Sequence, residues 1–247
     1  DVLSTRRAEL MANPPAQGAW ELRAEIARHL RSFRGMDVSP EHIVVGAGTE
    51  YLYGLLIQLF GFDRTFGVEE PGHRKIRRVY QSFGVRTAGI PLDKSGVTTG
   101  ALRERGVDII HISPSHQFPT GIVMPAARRY ELLEWAAERP HRFIIEDDYD
   151  AEFASPTRRI ETIFSLDPQR VIYLNTFSKL LAPSVRTGFM VLPEPLQARF
   201  EERLAFYSCT VPVLEQYVLT ELLQNGDYER HINLSRRARR RQLAEQK

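Results

Sequence analysis

Apolar runs of strand length alternate along this chain with stretches whose apolar residues recur at helical spacing. The runs are His42–Val45, Phe66–Glu69, Thr87–Leu92, Asp108–Ile112, Arg142–Glu146, Val171–Leu174 and Phe189–Leu192, rich in β-branched and aromatic residues. Leu22, Ile26, Leu30 and Phe33 predict a helix over Ala19–Phe33, closed by Gly35. Further helices are predicted over Tyr51–Phe60, His73–Phe83, a short stretch ending at Gly106, and Ala126–Glu138. Pro212–Leu223 and Tyr228 to the end read as helices beyond the last run. Seven strand candidates, most joined by helices, predict an α/β fold with a mostly parallel seven-stranded sheet flanked by helices. Residues 1–17 contain Asn13-Pro14-Pro15 and read as an arm or linker. Ligands of such folds collect at the carboxyl ends of the strands, and here the polar motifs follow the runs.

The most informative of these motifs is the turn between the last two runs. It carries Lys179, with Thr176 and Ser178 before it and Arg186 after it. A lysine between buried strands is expected to be desolvated, which lowers its pKa and frees its lone pair for carbonyl chemistry. The hydroxyls and the guanidinium fork suit a phosphate. A Schiff-base lysine beside a phosphate site suggests pyridoxal 5'-phosphate (PLP), although a solvated surface lysine fits this stretch alone as well. Gly46-Ala47-Gly48-Thr49 joins a strand to a helix N-terminus, which favours an anion; close packing also asks for glycines there.

Glu146-Asp147-Asp148-Tyr149-Asp150 follows Phe143-Ile144-Ile145. It lacks the histidine of a typical metal site. A carboxylate there could face the ring nitrogen of a pyridine cofactor, keeping it protonated as an electron sink, with Tyr149 donating to its phenolic oxygen. On this stretch alone a solvated acidic loop is equally good. Glu69-Glu70-Pro71-Gly72-His73 places an aromatic ring at a helix start, and Ser113 to Gly121 is a loop of turn formers.

Composition narrows the classes. The 247 residues are 43% hydrophobic with a formal charge of +2, which argues against a broad basic face for nucleic acid. Arg236 to Arg241 is the one basic run, read as the solvated face of a terminal helix. A single cysteine, Cys209, suits a reducing, cytoplasmic compartment, and no apolar run reaches the length of a membrane span. A start at Asp1 and an end in helical sequence lead us to expect an excerpt of a longer chain.

In this order the motifs resemble the fold-type I aminotransferases, and more narrowly the PLP-binding domain of MocR/GabR-type regulators of the GntR family. The resemblance runs from Gly18 to the terminal helix. It is carried by Ser113-Pro-Ser-His-Gln-Phe-Pro-Thr-Gly121, Ile145-Glu-Asp-Asp-Tyr-Asp-Ala-Glu-Phe153 and Asn175-Thr-Phe-Ser-Lys179. It implies that Lys179 holds PLP as a Schiff base, that Asp147 pairs with the pyridine nitrogen, and that Tyr149 pairs with the phenolic oxygen. Asp147 is preferred to Asp148 because it lies two residues before Tyr149. Gly48, Thr49, Thr176, Ser178 and Arg186 would hold the phosphate, and His73 would stack on the ring. His73 departs from the family's usual tyrosine, and Phe118 stands where enzymes carry asparagine.

The resemblance also implies the domain plan: an arm over 1–17, a PLP-binding large domain over 18–225, and from 226 a helix leading to an absent small C-terminal domain. The regulators' DNA-binding N-terminal module is likewise absent. The expected function is effector sensing, with an amino acid or amine exchanging for Lys179, in a homodimer that meets DNA only through the missing module. The alternative is a working PLP-dependent aminotransferase.

Overall fold

The computed structural model describes residues 2, 6–150, 161–179 and 181–245, with side chains to residue 238. Eight strands form one mixed sheet in the order β1-β8-β7-β6-β5-β2-β3-β4. They are β1 (Ile43–Gly46), β2 (Thr65–Glu70), β3 (Arg86–Asp93), β4 (Gly96–Val97), β5 (Ile109–Ile112), β6 (Phe143–Asp147), β7 (Val171–Thr176) and β8 (Gly188–Val191). The helices are α1 (Arg7–Leu10), α2 (Trp20–Arg34), α3 (Thr49–Phe60), α4 (Arg74–Ser82), α5 (Thr99–Glu104), α6 (Ala126–Ala137), α7 (Ile163–Leu166), α8 (Glu194–Leu204), α9 (Val213–Gln224) and α10 (Asp227–Glu245).

All seven expected strands lie in this sheet. The eighth, β4, is two residues that turn back on β3, pairing Leu92 with Val97 and Asp93 with Gly96; so short a strand leaves no run to read. β3, β2, β5, β6 and β7 are parallel neighbours. β8 runs against both β7 and β1, so β1 points the same way as the parallel set. The carboxyl ends of β1, β6 and β7 therefore share one edge.

Side chains of successive strand residues point to opposite faces, and the core follows that alternation. Val44, Ile109, Phe143, Ile145, Ile172, Leu174 and Met190 pack with α3 and α8 on one face. Ile43, Val45, Ile110, Ile144, Val171, Tyr173, Phe189 and Val191 pack with α2, α6, α9 and α10 on the other. Both faces are covered, so the strands are nearly continuous apolar runs.

Local signals set the helix ends. Gly35 closes α2 at a left-handed φ of 72°, its N–H returning to Arg31 O. The segment read as an arm contains one helical turn, α1, and Val2 is buried in the core on the α2 face. Ala151, Glu152 and Phe153 of the second motif fall outside the described residues, as do the side chains of Arg239, Arg240 and Arg241.

Candidate functional site

A cleft of about 350 Å³ opens at the shared carboxyl edge. Thr49, His73, Asp147, Tyr149, Thr176, Ser178, Lys179 and Arg186 line it, together with Glu50, Tyr53 and Lys75. Gly48, the ninth residue singled out in the sequence, sits behind Arg186: a Cβ on it would lie 2.6 Å from Arg186 Nη2, and its φ is +85°. The positive φ favours glycine there, while the Arg186 tip is the end of a flexible side chain that could move aside.

The acidic stretch after β6 divides its labour by strand alternation. Asp147 shares the face of Phe143 and Ile145, toward α3. Its Oδ2 accepts from Tyr53 Oη at 3.0 Å and from His111 Nε2 at 3.2 Å. A carboxylate can only accept, so Nε2 carries the proton; the other ring nitrogen, Nδ1, lies 2.8 Å from Tyr80 Oη. Burial first, and then the charge of Asp147, push both phenols well above their ordinary value, so both remain donors. No donor among the described residues reaches Asp147 Oδ1, which is buried.

Glu146 and Asp148 face the other way. Glu146 is fully buried and accepts from the N–H groups of Ile163 and Phe164 at 3.1 and 2.9 Å, holding the start of α7. Asp148 Oδ2 accepts from Arg34 Nε at 2.8 Å and from Tyr173 Oη at 2.8 Å. These two carboxylates secure the wall behind the cleft, and only Asp147 is offered to it.

The candidate anion cradle combines two elements. The first N–H groups of α3 have no intrahelical partners, and the helix begins at Thr49. Across from them, the loop between β7 and β8 is folded on its own carbonyls: Thr176 Oγ1 lies 3.2 Å from Thr187 O, and Ser178 Oγ donates to Val185 O. Arg186 Nη2 meets Glu50 Oε2 at 2.5 Å, and Lys75 pairs with the other Glu50 oxygen. Desolvation opposes it, yet Lys75 and Arg186 hold Glu50 below the ordinary carboxylate range. Glu50 and Lys75 had no motif to announce them in the sequence.

Lys179 departs from expectation. It is exposed rather than desolvated, because β7 ends at Thr176 and the lysine lies in the turn above the sheet edge. Its Nζ sits 4.0 Å from the centroid of the Tyr149 ring, and Tyr149 Oη donates to His116 O at 3.1 Å. His73 stacks on Phe118, centroids 4.1 Å apart and planes 13° from parallel, and meets Tyr149 edge-on. Partial desolvation, against the pull of Asp147, holds His73 below its ordinary 6.5, leaving a neutral aromatic plate at the rim.

The chain is similar to known proteins of one family. The profile of aminotransferase class I and II matches residues 6–246. YdeL of Bacillus subtilis (strain 168), an uncharacterized HTH-type transcriptional regulator, is 38% identical over 228 residues, which are 92% of this chain and 49% of that protein. The pyridoxine biosynthesis regulator PdxR of Corynebacterium glutamicum is 37% identical over 93% of this chain and 51% of its own length. The chain thus spans about half the length of the curated relatives it matches. Among solved structures, an archaeal alanine:glyoxylate aminotransferase is 27% identical with a TM-score of 0.80, covering 93% of this chain and 59% of that one. A Pyrococcus horikoshii kynurenine aminotransferase gives the same identity and TM-score over 96% and 61%. A cleft at the carboxyl edge of a mixed sheet and a profile match over nearly every residue lead to one family: this chain belongs to the aminotransferases of class I and II.

Proposed function

We propose that this chain is the effector-sensing part of a transcriptional regulator, using PLP to recognise an amino acid or amine. The observation that carries the reading is the buried, donorless Oδ1 of Asp147 in the cleft wall, within a chain most of which is similar to HTH-type regulators.

The residues present fit the cofactor. A buried carboxylate oxygen without a donor suits a protonated pyridine nitrogen. The start of α3, Thr176, Ser178 and Arg186 suit a phosphate, and His73 and Tyr149 give the ring its aromatic surroundings. PLP, when bound, supplies an aldehyde carbon that condenses reversibly with primary amines. Lys179, which ends the motif Asn175-Thr-Phe-Ser-Lys179 and lines the cleft beside Asp147, is the candidate for that amine.

Each side chain has a defined task. Tyr53 and His111 fix the carboxylate of Asp147 so that one oxygen stays directed to the ligand. Arg186 must exchange Glu50 for a phosphate, and Lys75 is left to neutralise the released carboxylate. A primary-amine effector competes with Lys179 Nζ for the same position. The two outcomes leave the β7–β8 loop either tethered or released, and the free-energy difference between them can bias a larger assembly. Within this reading the whole protein is a cytoplasmic homodimer that contacts DNA through a segment N-terminal to these residues. Support for a self-association surface comes from the stacked, exposed Phe206 and Tyr207.

Titrating the protein with PLP and recording the visible absorption tests this. The expected result is a band that is absent in Lys179→Ala and that shifts when an amino acid is added without a keto acid accumulating. Keto acid formed over many turnovers would select the aminotransferase alternative. An equal band in Lys179→Ala would remove Lys179 from the site.

A further inference from the structure

A second cleft, of about 450 Å³, lies at the opposite end of the sheet from Lys179. Its position follows from chain order. Arg64 stands immediately before β2, His141 just before β6, and Arg170 immediately before β7, so all three gather at the amino ends of parallel strands. Arg199, one turn into α8, closes the fourth side. The floor is apolar, made by Phe60, Phe143 and Leu196, each at most 7% exposed.

The charge is one-sided. No lining residue is acidic, and none of the three arginines has a carboxylate partner among the described residues. Glu194 in the first turn of α8 is exposed and outside the lining. Asp108, a nearby carboxylate, is taken by His141 Nε2 at 3.1 Å and by the Thr65 N–H at 3.0 Å.

Two of the three guanidiniums are also held in place by main-chain carbonyls. Arg170 Nη1 donates to Pro140 O at 2.9 Å, and Arg199 Nη1 donates to Leu59 O at 3.1 Å. A guanidinium has five N–H donors, so each keeps others for a ligand. Anchoring lowers the ordering cost of binding. Fixed, half-buried forks above an aromatic floor suit a compact anion with a flat or apolar body, and a concavity of this size does not suit a duplex backbone.

We propose that this cleft binds a small organic dianion, a phosphate monoester or dicarboxylate carried on an apolar body, independently of the cofactor cleft. Isothermal titration of the purified protein with phenyl phosphate, and separately with phthalate, tests it. Binding should weaken with added salt and by about tenfold or more in Arg64→Gln, which removes one charged partner. Arg64 makes no hydrogen bond or ion pair within the described residues, so that substitution leaves the fold alone; Arg199→Gln should act in the same direction. Prior saturation of the other cleft with PLP should leave the affinity unchanged. Response to one probe only would name which dianion is preferred. No binding of either probe at millimolar concentration overturns the proposal. So does binding that survives Arg64→Gln and Arg199→Gln, or that disappears once the other cleft is saturated with PLP.

Discussion

His111 Nε2 lies 3.2 Å from Asp147 Oδ2, joining two neighbouring parallel strands by their side chains at the sheet edge. Tyr53 takes the same oxygen, and Tyr80 stands behind the imidazole. A carboxylate fastened by one oxygen cannot turn away from a ligand at the other. Asp147→Asn should therefore weaken PLP retention by about 1.5–3 kcal/mol, the worth of a hydrogen bond to a charged group. His111→Phe should cost less, about 1 kcal/mol, because it loosens the carboxylate without removing it. Titration of the visible band measures both; equal losses would mean that His111 acts on the cofactor itself.

Glu50 occupies Arg186 and Lys75, the cations a phosphate wants. Glu50→Gln should tighten binding of inorganic phosphate and of PLP, by up to about 1 kcal/mol for a partly exposed ion pair. Competition titrations with phosphate read this out. Unchanged or weaker binding would show that Glu50 supports the cradle rather than competing with its ligand.

Arg34 and Asp148 form an ion pair with side chains only 7% and 0% exposed. Arg34→Met leaves a buried charge without its partner, and the expected loss is about 3–5 kcal/mol. The midpoint of urea denaturation reports it. Asp148→Asn added to Arg34→Met should recover part of the loss, since it removes the stranded charge.

Burial, helped by the nearby Asp148 and opposed by the Phe164 N–H and Arg129, raises Glu146 from 4.5 to about 7. A carboxyl whose pKa is higher folded than unfolded keeps more protons in the folded state. Its contribution is complete below the unfolded value and is lost as pH climbs through about 7. Stability should fall across that window by up to about 1.4 kcal/mol per pH unit from this group. Glu146→Gln should reduce the slope in urea denaturation series run at stepped pH, leaving the share of Glu69, which burial raises to about 8. A slope unchanged in Glu146→Gln would assign it wholly to other groups.

Much of the fold was legible because both sheet faces are covered, so each strand declares itself as an apolar run. β4 was missed since two residues carry no period. Within the site, the sequence preferred Asp147 to Asp148 by its distance from Tyr149; strand alternation puts Asp147 in the cleft lining and turns Asp148 toward Arg34 and Tyr173. The network behind Asp147 stayed hidden. Tyr53 and Tyr80 sit at ordinary core positions of α3 and α4, and nothing in a helical repeat separates a phenol that donates from one that merely packs. His111 left a signal in hindsight, a titratable ring inside Ile109-Ile110-His111-Ile112. Lys179 was misjudged because flanking strands suggest burial, while a loop between antiparallel strands can lift its tip clear of them.

That loop leaves the sheet at Thr176 and re-enters at Gly188, residues that face each other across the ladder. Lys179 and Arg186 therefore stand on opposite limbs of one span. Under the function proposed above, a phosphate held on one limb while the other is engaged or let go would make the span a lever with a fixed pivot. Chemistry at a single nitrogen would then be felt as a change in tension along it.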